Sequence, residues 1–370
     1  MYLLYRLINY QYNILNMNKA RAISLLSIFI FILLFGSVNR TFGQTSHIQS
    51  FIRAGEADAK ILTKAYLKPF ANGIGTDLNT GWYTSASPHK TLGFDIQVHG
   101  ALAYVPFSDR RFNVKNLNLK HMQLASGQSP MSPTAAGHNS PGPEVVVKYN
   151  GHVADRFNLP KGSGFHFAPS PTIQASVGLI KKTDLSVRYT PKVHIGSYGN
   201  FRMEGIALRH SISQWLPGGK FLPINIAIMA GYNHVNVDAN LNLKPDPTAL
   251  PDPNYSGNYN NQKVKDNFNT FTAQLIVGKN LPFISVYVAG GYEKSVMHLA
   301  VVGDYPVTEN RNGIKRTKTI TDPFSYKQDG INKYSLTGGF KFKLFFFHIF
   351  GQYTLAKYPV ANAGIGLGFR

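Results

Sequence analysis

The feature that most constrains the fold is a two-residue alternation of apolar and polar side chains, which recurs from about residue 92 to the end of the chain. In residues 92–104, large apolar residues alternate with Asp95, Gln97 and His99. The same alternation is present in residues 172–179, 184–189, 206–213, 270–277 and 334–343. A two-residue period places one set of side chains on each face of a β-strand, so it predicts an all-β fold. After residue 43, no segment reaches the roughly 20 apolar residues of a membrane-spanning helix.

The last strand indicates which environment each face meets. The chain ends AGIGLGFR, in which Ile365, Leu367 and Phe369 alternate with three glycines. Because glycine in a strand has no side chain to pack, a soluble sheet would seldom place three on one face. A barrel wall in a membrane needs apolar residues toward lipid, and its interior tolerates glycine. Pairing of the last strand with the first would also remove the open sheet edge.

Aromatic residues recur at an interval that suits a membrane. The segments LPINIAIMAGY (222–232) and LPFISVYVAGGY (281–292) both place a tyrosine eight positions after their first isoleucine. At about 3.4 Å per residue and a tilt near 40°, this interval spans roughly 20 Å, close to the ~25 Å apolar band of a membrane barrel. A soluble sandwich gives no reason for such spacing.

Connections between the alternating segments differ in length. Short turns fall at 181–182, 217–221, 280–283 and 344–347, whereas about 30 polar residues lie at 237–266 and again at 300–330. Short turns at one end and long loops at the other are typical of an outer-membrane barrel. We therefore predict an all-β, antiparallel transmembrane β-barrel of about 10–14 strands over residues 91–370, with a short N-terminal helix. Residues 111–124 and 144–158 are candidates for an added pair of strands, and a soluble secreted β-sandwich is the alternative.

The N-terminus predicts export. Residues 17–21 are basic, residues 23–35 form an apolar stretch, and Thr41 and Gly43 are small. This pattern is typical of a secretory signal peptide cleaved near Gly43, with residues 1–16 as an upstream extension. An uncleaved N-terminal anchor is the alternative. With the barrel pattern, the signal predicts a location in the outer membrane of a Gram-negative bacterium.

Residues 44–90 are predicted to form an N-terminal plug or cap. Within them, residues 56–70 have an apolar side, and Lys60, Lys64 and Lys68 form a stripe at i, i+4 spacing. If this helix enters the barrel, its lysines would face an anionic solute. If it caps the foot of the barrel, they would face water. The sequence leaves both alternatives open.

Four stretches carry a family resemblance. They are EADAKILTKAYLKPF (56–70), GWYTSASPHKTLGFD (81–95), LIKKTDLSVRYTPKV (179–193) and QWLPG (214–218). In these the chain resembles an uncharacterised family of Gram-negative outer-membrane barrels known only as a domain of unknown function. More remotely, a helical N-terminus before an antiparallel barrel is similar to the long-chain fatty-acid transporters of the outer membrane. That likeness implies passage of a small hydrophobic molecule through the lumen.

No enzyme, cofactor site or metal site is predicted. The nearest local pair of nucleophile and base is His210 and Ser211, but alternation places them on opposite faces of one strand. The twelve histidines show no spacing that would suit a metal. The chain carries a net charge of +20, yet its bases are dispersed, so the pattern does not indicate nucleic acid as a partner.

Function is predicted from the face of the wall that turns inward. We expect a channel or transporter for small anionic or hydrophobic solutes, because hydrated residues and glycines fill that face and bases outnumber acids there. The alternative is a structural or surface-interaction barrel without transport, since ten to twelve strands enclose little free volume. The predicted plug or lumen contacts are Lys60, Lys64, Lys68, Asp95, Gln97, His99, Arg188, Lys341 and Lys343. Expected partners are outer-membrane lipid, lipopolysaccharide and the barrel assembly machinery, whose recognition signal the last strand resembles.

Overall fold

A computed structural model of the chain describes residues 51–52, 55–149, 152–194, 200–217, 223–311 and 313–369. The predicted signal peptide, its cleavage site, the upstream extension and all but the first residue of the predicted turn at 217–221 lie outside the described residues. One long helix, α1 (Glu56–Asp77), precedes the strands. In the part of the chain that is described, no helix combines the length and apolar character needed to cross a membrane.

In the described part of the chain, eighteen strands follow the helix. They are β1 (Phe94–Tyr104), β2 (Arg111–Asn113), β3 (Met122–Leu124), β4 (Met131–Pro133), β5 (Glu144–Tyr149), β6 (His152–Asn158), β7 (Phe167–Leu179), β8 (Thr183–His194), β9 (Asn200–Ser211), β10 (Asn225–Asn240), β11 (Lys263–Asn280), β12 (Ile284–Val302), β13 (Asp304–Arg311), β14 (Ile314–Thr321), β15 (Phe324–Asp329), β16 (Tyr334–Leu344), β17 (Phe347–Leu355) and β18 (Val360–Phe369). Ten of them, β1, β7–β12 and β16–β18, form a closed antiparallel barrel.

The ring closes where the first and last barrel strands pair. Phe94 of β1 lies opposite Phe369 of β18, and the pairing continues to Ala103 opposite Val360. On the other side of the ring, β11 pairs with β12 over the whole length of β11. The additional strand β15 pairs with the end of β12 beyond its pairing with β16. The predicted fold class is confirmed, with a strand number at the low end of the predicted range.

The outer face of the barrel is apolar. Ile96, Val98 and Leu102 of β1 are exposed, whereas Asp95, Gln97 and His99 between them are buried. Toward the ends of β10, β12 and β16 that lead into the long loops, the outer face carries exposed tyrosines at Tyr232, Tyr292 and Tyr334. A continuous apolar band with an aromatic rim is the surface that a lipid bilayer requires of a transmembrane barrel.

The two ends of the barrel differ, as the sequence predicts. Connections of three, three and two residues join β7 to β8, β11 to β12 and β16 to β17, and the barrel begins and ends at this same end. We call it the short-turn end. The opposite, long-loop end carries the connections between β1 and β7, β10 and β11, and β12 and β16. The β10–β11 loop, residues 241–262, is shorter than the predicted 237–266 because β10 ends later and β11 begins earlier than expected. The connection between β12 and β16, residues 303–333, is as long as predicted.

The expected additional pair of wall strands is wrong. Residues 111–124 and 144–158 contain β2, β3, β5 and β6, which pair with β4 and with one another in two small sheets apart from the barrel. They belong to the β1–β7 loop. The segment 125–143 folds inward with them, and Ser132, Thr134, Ala135 and Ala136 are buried.

A second folded loop stands at the long-loop end. Strands β13 and β14 pair as a hairpin, and Leu250 of the β10–β11 loop bridges to Arg316 of β14. The Asp246 carboxylate accepts hydrogen bonds from the backbone and hydroxyl of Thr248 and from the Lys315 ammonium. These donors favour the ionised form and lower the pKa of Asp246 to about 2.

Candidate functional site

Helix α1 lies inside the barrel. It contacts β1 and β7 on one side of the ring and β11, β12 and β15 on the other. Two glycines allow this close fit, because a Cβ on Gly73 would lie 2.5 Å from the Cβ of Ala168 in β7. A Cβ on Gly75 would lie 2.5 Å from the Oγ of Ser295 in β12. The helix therefore touches opposite walls within a single turn, inside the lumen.

The first half of the helix is fixed to the β1–β7 loop. The buried Asp58 carboxylate accepts hydrogen bonds from the backbone N–H groups of Lys120, His121 and Met122 at 2.7, 2.8 and 3.0 Å. The Tyr66 hydroxyl donates to the carbonyl of Lys161. Apolar side chains from the helix, from the loop and from the barrel wall near the long-loop end also form one buried cluster around this half. The loop thus closes over the helix at the long-loop end.

After the helix, residues 78–90 pass through the lumen toward the short-turn end; we call residues 56–90 the plug. This passage adds no strand to the wall. Side chains of the wall instead donate hydrogen bonds to its backbone carbonyls. The acceptor–donor pairs are Leu78 with Arg188 and Asn233, Thr80 with Arg188, Trp82 with Gln174, Tyr83 with Tyr287, and Ser85 with Arg209.

Arg188 is the centre of these contacts. Its Nη1 and Nη2 atoms donate to the carbonyls of Leu78 and Thr80 at 2.9 and 2.6 Å, and its Nε donates to Gln174 at 3.0 Å. The guanidinium also stacks on the Trp82 ring at 3.6 Å from its centroid. A buried cation is tolerated where its donors are satisfied, and here three acceptors and an aromatic face replace water.

Trp82 occupies a position that two wall glycines leave open. Cβ atoms on Gly205 of β9 and Gly231 of β10 would lie 3.0 and 2.9 Å from the Trp82 ring. The ring is 3 % exposed. Trp215 is exposed at the short-turn end, where its indole N–H donates to His210.

Ionisable residues gather where the plug reaches the short-turn end. The Asp184 carboxylate of β8 accepts from the backbone N–H of His89 at 2.8 Å, and its other oxygen contacts the His89 ring and Arg209. Asp95 lies 3.4 Å from His348 and 4.0 Å from His89. Beside them is a cavity of about 220 Å³, here called the vestibule. It is lined by His89, Asp95, Lys341, Lys343, Phe345, Phe346, Phe347, His348, Gly368 and Phe369.

The fold and this geometry can be compared with known proteins. A family model for a family of unknown function, DUF6588, matches residues 17–369. The chain belongs to DUF6588. The predicted resemblance to such a family is confirmed, and the match extends over the plug as well as the barrel.

Solved structures similar to this DUF6588 chain are outer-membrane proteins. Ail, the attachment invasion locus protein of Yersinia pestis, is 7 % identical with a TM-score of 0.24, covering 75 % of this chain and 97 % of its own. The translocator domain of the autotransporter NalP from Neisseria meningitidis is 10 % identical with a TM-score of 0.27 over 83 % and 96 %. The outer membrane protease OmpT from Escherichia coli is 8 % identical with a TM-score of 0.30 over 75 % and 97 %. Among curated proteins, none matches the sequence.

The predicted contact residues of this DUF6588 chain fall in four places. Arg188 binds the plug directly, and His99 approaches it at Gly81, where a Cβ would lie 2.5 Å from the imidazole ring. Gln97 is buried in the wall. Asp95, Lys341 and Lys343 line the vestibule. The helix lysines Lys60, Lys64 and Lys68 are exposed, and Lys60 borders a cavity of about 440 Å³ beside β12 and β15.

Several residues that hold the plug were not singled out from the sequence. They are Asp58, Trp82, Asn233, Tyr287 and Arg209. Alternation does assign Arg209 and Asn233 to the inner face, but nothing local indicates which carbonyl each will meet. Among the described residues, no group of three or more His, Asp or Glu is placed to hold a metal ion.

Proposed function

We propose that this protein is an outer-membrane transport barrel of a Gram-negative bacterium, closed by its own plug. The barrel opens when residues 78–90, here called the lower plug, leave the lumen. The exposed apolar band and the predicted signal peptide support the location. With the periplasm at the short-turn end, the β1–β7 loop lies outside the cell.

The observation that carries the proposal is how the lower plug is held. Every strand of the wall pairs with wall strands on both sides, and residues 78–90 contribute to none of these ladders. Their attachment consists of wall side chains bonded to backbone carbonyls, the Asp184 carboxylate bonded to His89, and a small buried cluster around Trp82 and Tyr83. The segment can therefore detach without breaking the backbone hydrogen bonds that maintain the barrel.

The wall behind the plug is suited to a small polar solute. Gln174, Ser176, Ser186, Thr272 and Thr337 face inward and are buried. Acids and bases are balanced on this face, because four bases accompany four acids: Arg188, Arg209, Lys341 and Lys343 with Asp95, Asp184, Asp266 and Glu293. The expected excess of bases on the inner face is therefore wrong. The wall is suited to small solutes, and its charge favours neither anionic nor cationic ones. Ten strands leave a narrow path, which limits the size of the solute.

A disulfide lock tests the proposal, and the absence of native cysteine makes the lock unique. A Cβ on Gly73 would lie 3.5 Å from that of Ala103, within the range of a disulfide. The test variant combines Gly73→Cys and Ala103→Cys with Ala168→Gly, which removes the one close methyl group. It also carries Arg188→Met, which weakens the hold on the lower plug.

We expect liposomes containing the reduced variant to admit arabinose, glutamate or octanesulfonate, and oxidation to reduce that entry. The same variant without cysteine controls for the oxidant. Heat-modifiable migration on a gel verifies that each barrel is folded. Equal entry before and after oxidation would contradict control by the plug.

The structural or surface-interaction role is the second candidate. The apolar cluster between helix α1 and the β1–β7 loop favours it, because this cluster holds helix α1 in an extensive buried core. If the reduced, folded variant admits none of the three solutes, transport is refuted and this role remains.

A further inference from the structure

The vestibule is lined by more cationic than anionic side chains, because Lys341 and Lys343 share it with one carboxylate, Asp95. Lys341 is 4 % exposed and lines the cavity together with the more exposed Lys343. Asp95 is the nearest acid of the cavity wall, and its ion-pair contacts are with His348 and His89. Within the described part of the chain, no carboxylate forms a salt bridge with either lysine. Because Arg209 already pairs with Asp184, the cavity retains a local excess of positive charge.

The last strand leaves room for this arrangement. A Cβ on Gly366 would lie 2.5 Å from the His348 ring, and one on Gly368 would lie 2.7 Å from the Asp95 carboxylate. The glycines that the sequence places on the inner face of β18 therefore keep the vestibule open. Larger residues there would fill it.

The cavity also extends across the rim of the wall. Its lining includes the inward Lys341 and His348 and also Phe345, Phe346 and Phe369 of the outer side. Phe345 is fully exposed in the two-residue β16–β17 turn. Phe346 stacks on Phe369 with ring centroids 5.9 Å apart, and Phe369 contacts Phe94. The rings thus form an apolar lip outside the barrel, directly beside the two lysines.

We propose that the vestibule binds the anionic phosphate of a membrane phospholipid, with Lys341 and Lys343 as donors and the lip of Phe345, Phe346 and Phe369 against the acyl chains. Lysine binds phosphate as a charged donor, and aromatic rings favour the level of the headgroups. A solute that passes through the lumen would not contact these rings, because they lie outside the wall. The inference rests on the membrane location proposed above and is independent of transport.

Native mass spectrometry of the purified full chain in a non-ionic detergent tests the site. The probes are dioleoyl phosphatidylglycerol and inorganic phosphate, each titrated alone. The test variant is Lys341→Gln with Lys343→Gln. The control variant is Lys181→Gln with Lys182→Gln, which removes the same charge from exposed lysines of the β7–β8 turn at the same end of the barrel. A third variant, Phe345→Ser with Phe346→Ser, removes part of the lip.

We expect the test variant to bind phosphatidylglycerol at least about tenfold more weakly, because it loses charge-assisted hydrogen bonds to the phosphate. The control variant should bind as the natural protein does, and the lip variant should also bind more weakly. Equal lipid binding by all variants, each verified as folded by heat-modifiable migration, would overturn the site. Inorganic phosphate bound as tightly as lipid, with no effect of the lip variant, would overturn the assignment to a phospholipid. Lipid binding tests neither conductance nor plug release, so each proposal can fail without the other.

Discussion

Replacement of Arg188 by methionine should release the lower plug without unfolding the barrel. The change keeps a long side chain but removes the donors to Leu78, Thr80 and Gln174 and the stacking on Trp82. The Leu78 carbonyl retains its bond from Asn233, whereas the Thr80 carbonyl loses the donor that Arg188 provides.

The size of the effect follows from these contacts. A buried carbonyl left without a partner costs about 1–3 kcal/mol, and a buried cation–π contact contributes about 2 kcal/mol. The variant also avoids the cost of burying a guanidinium, which offsets part of the loss. We expect plug docking to weaken by about 3 kcal/mol, which raises the population of the released plug by roughly 100-fold.

Single-channel recording in planar bilayers measures this directly. The frequency of openings should rise by about two orders of magnitude in Arg188→Met, in line with the weaker docking. Arg202→Met is the matched control, because that arginine is exposed and its ion pair with Glu204 contributes little. If a folded Arg188→Met barrel opens no more often than the control, Arg188 does not hold the plug and the reasoning is refuted.

Two further predictions concern other contacts. Gly231→Val should push the Trp82 ring out of its position, and in a Trp215→Phe background the fluorescence should shift to longer wavelength as the ring meets water. Gly338→Val is the control, since no atom lies within 4 Å of a Cβ placed on Gly338. Equal spectra for both variants would contradict the contact between Gly231 and the Trp82 ring. Because Asp246 has a lowered pKa in the folded protein, its tether is fully present above pH 3.8 and is lost as the pH falls toward about 2. Pepsin should therefore cut the β10–β11 loop more readily, relative to an unstructured peptide, at pH 2 than at pH 4. Asp246→Asn should reduce that difference, with the remainder due to Asp252 of the same loop, whose pKa is also lowered by hydrogen bonds from Asn254 and Thr319. An unchanged difference would contradict the tether.

The alternation of side chains predicted the wall because it is local. A pleated strand turns successive side chains to opposite faces, so Ile96 and Gln97 are assigned to the outside and the inside without knowledge of any neighbouring strand. The same rule placed Arg188, Lys341 and Lys343 on the inner face, and the turn lengths predicted which ends of the strands lie together. The structure confirms the fold class that this pattern predicts, whereas the extra pair of strands expected at 111–124 and 144–158 lies apart from the wall.

The plug depended on contacts that no local pattern encodes. Helix periodicity in residues 56–70 fits a plug and a cap equally well, and the position of the helix in the lumen depends on Gly73 and Gly75, which lie against opposite walls. Arg188 meets the Leu78 carbonyl across 110 positions of sequence. Strands β9 and β10 are far from Trp82 in the sequence. Trp82 is buried because their pairing brings Gly205 and Gly231 against its ring. Alternation states that a side chain points inward, but only closure of the ring decides what fills the space that it points into.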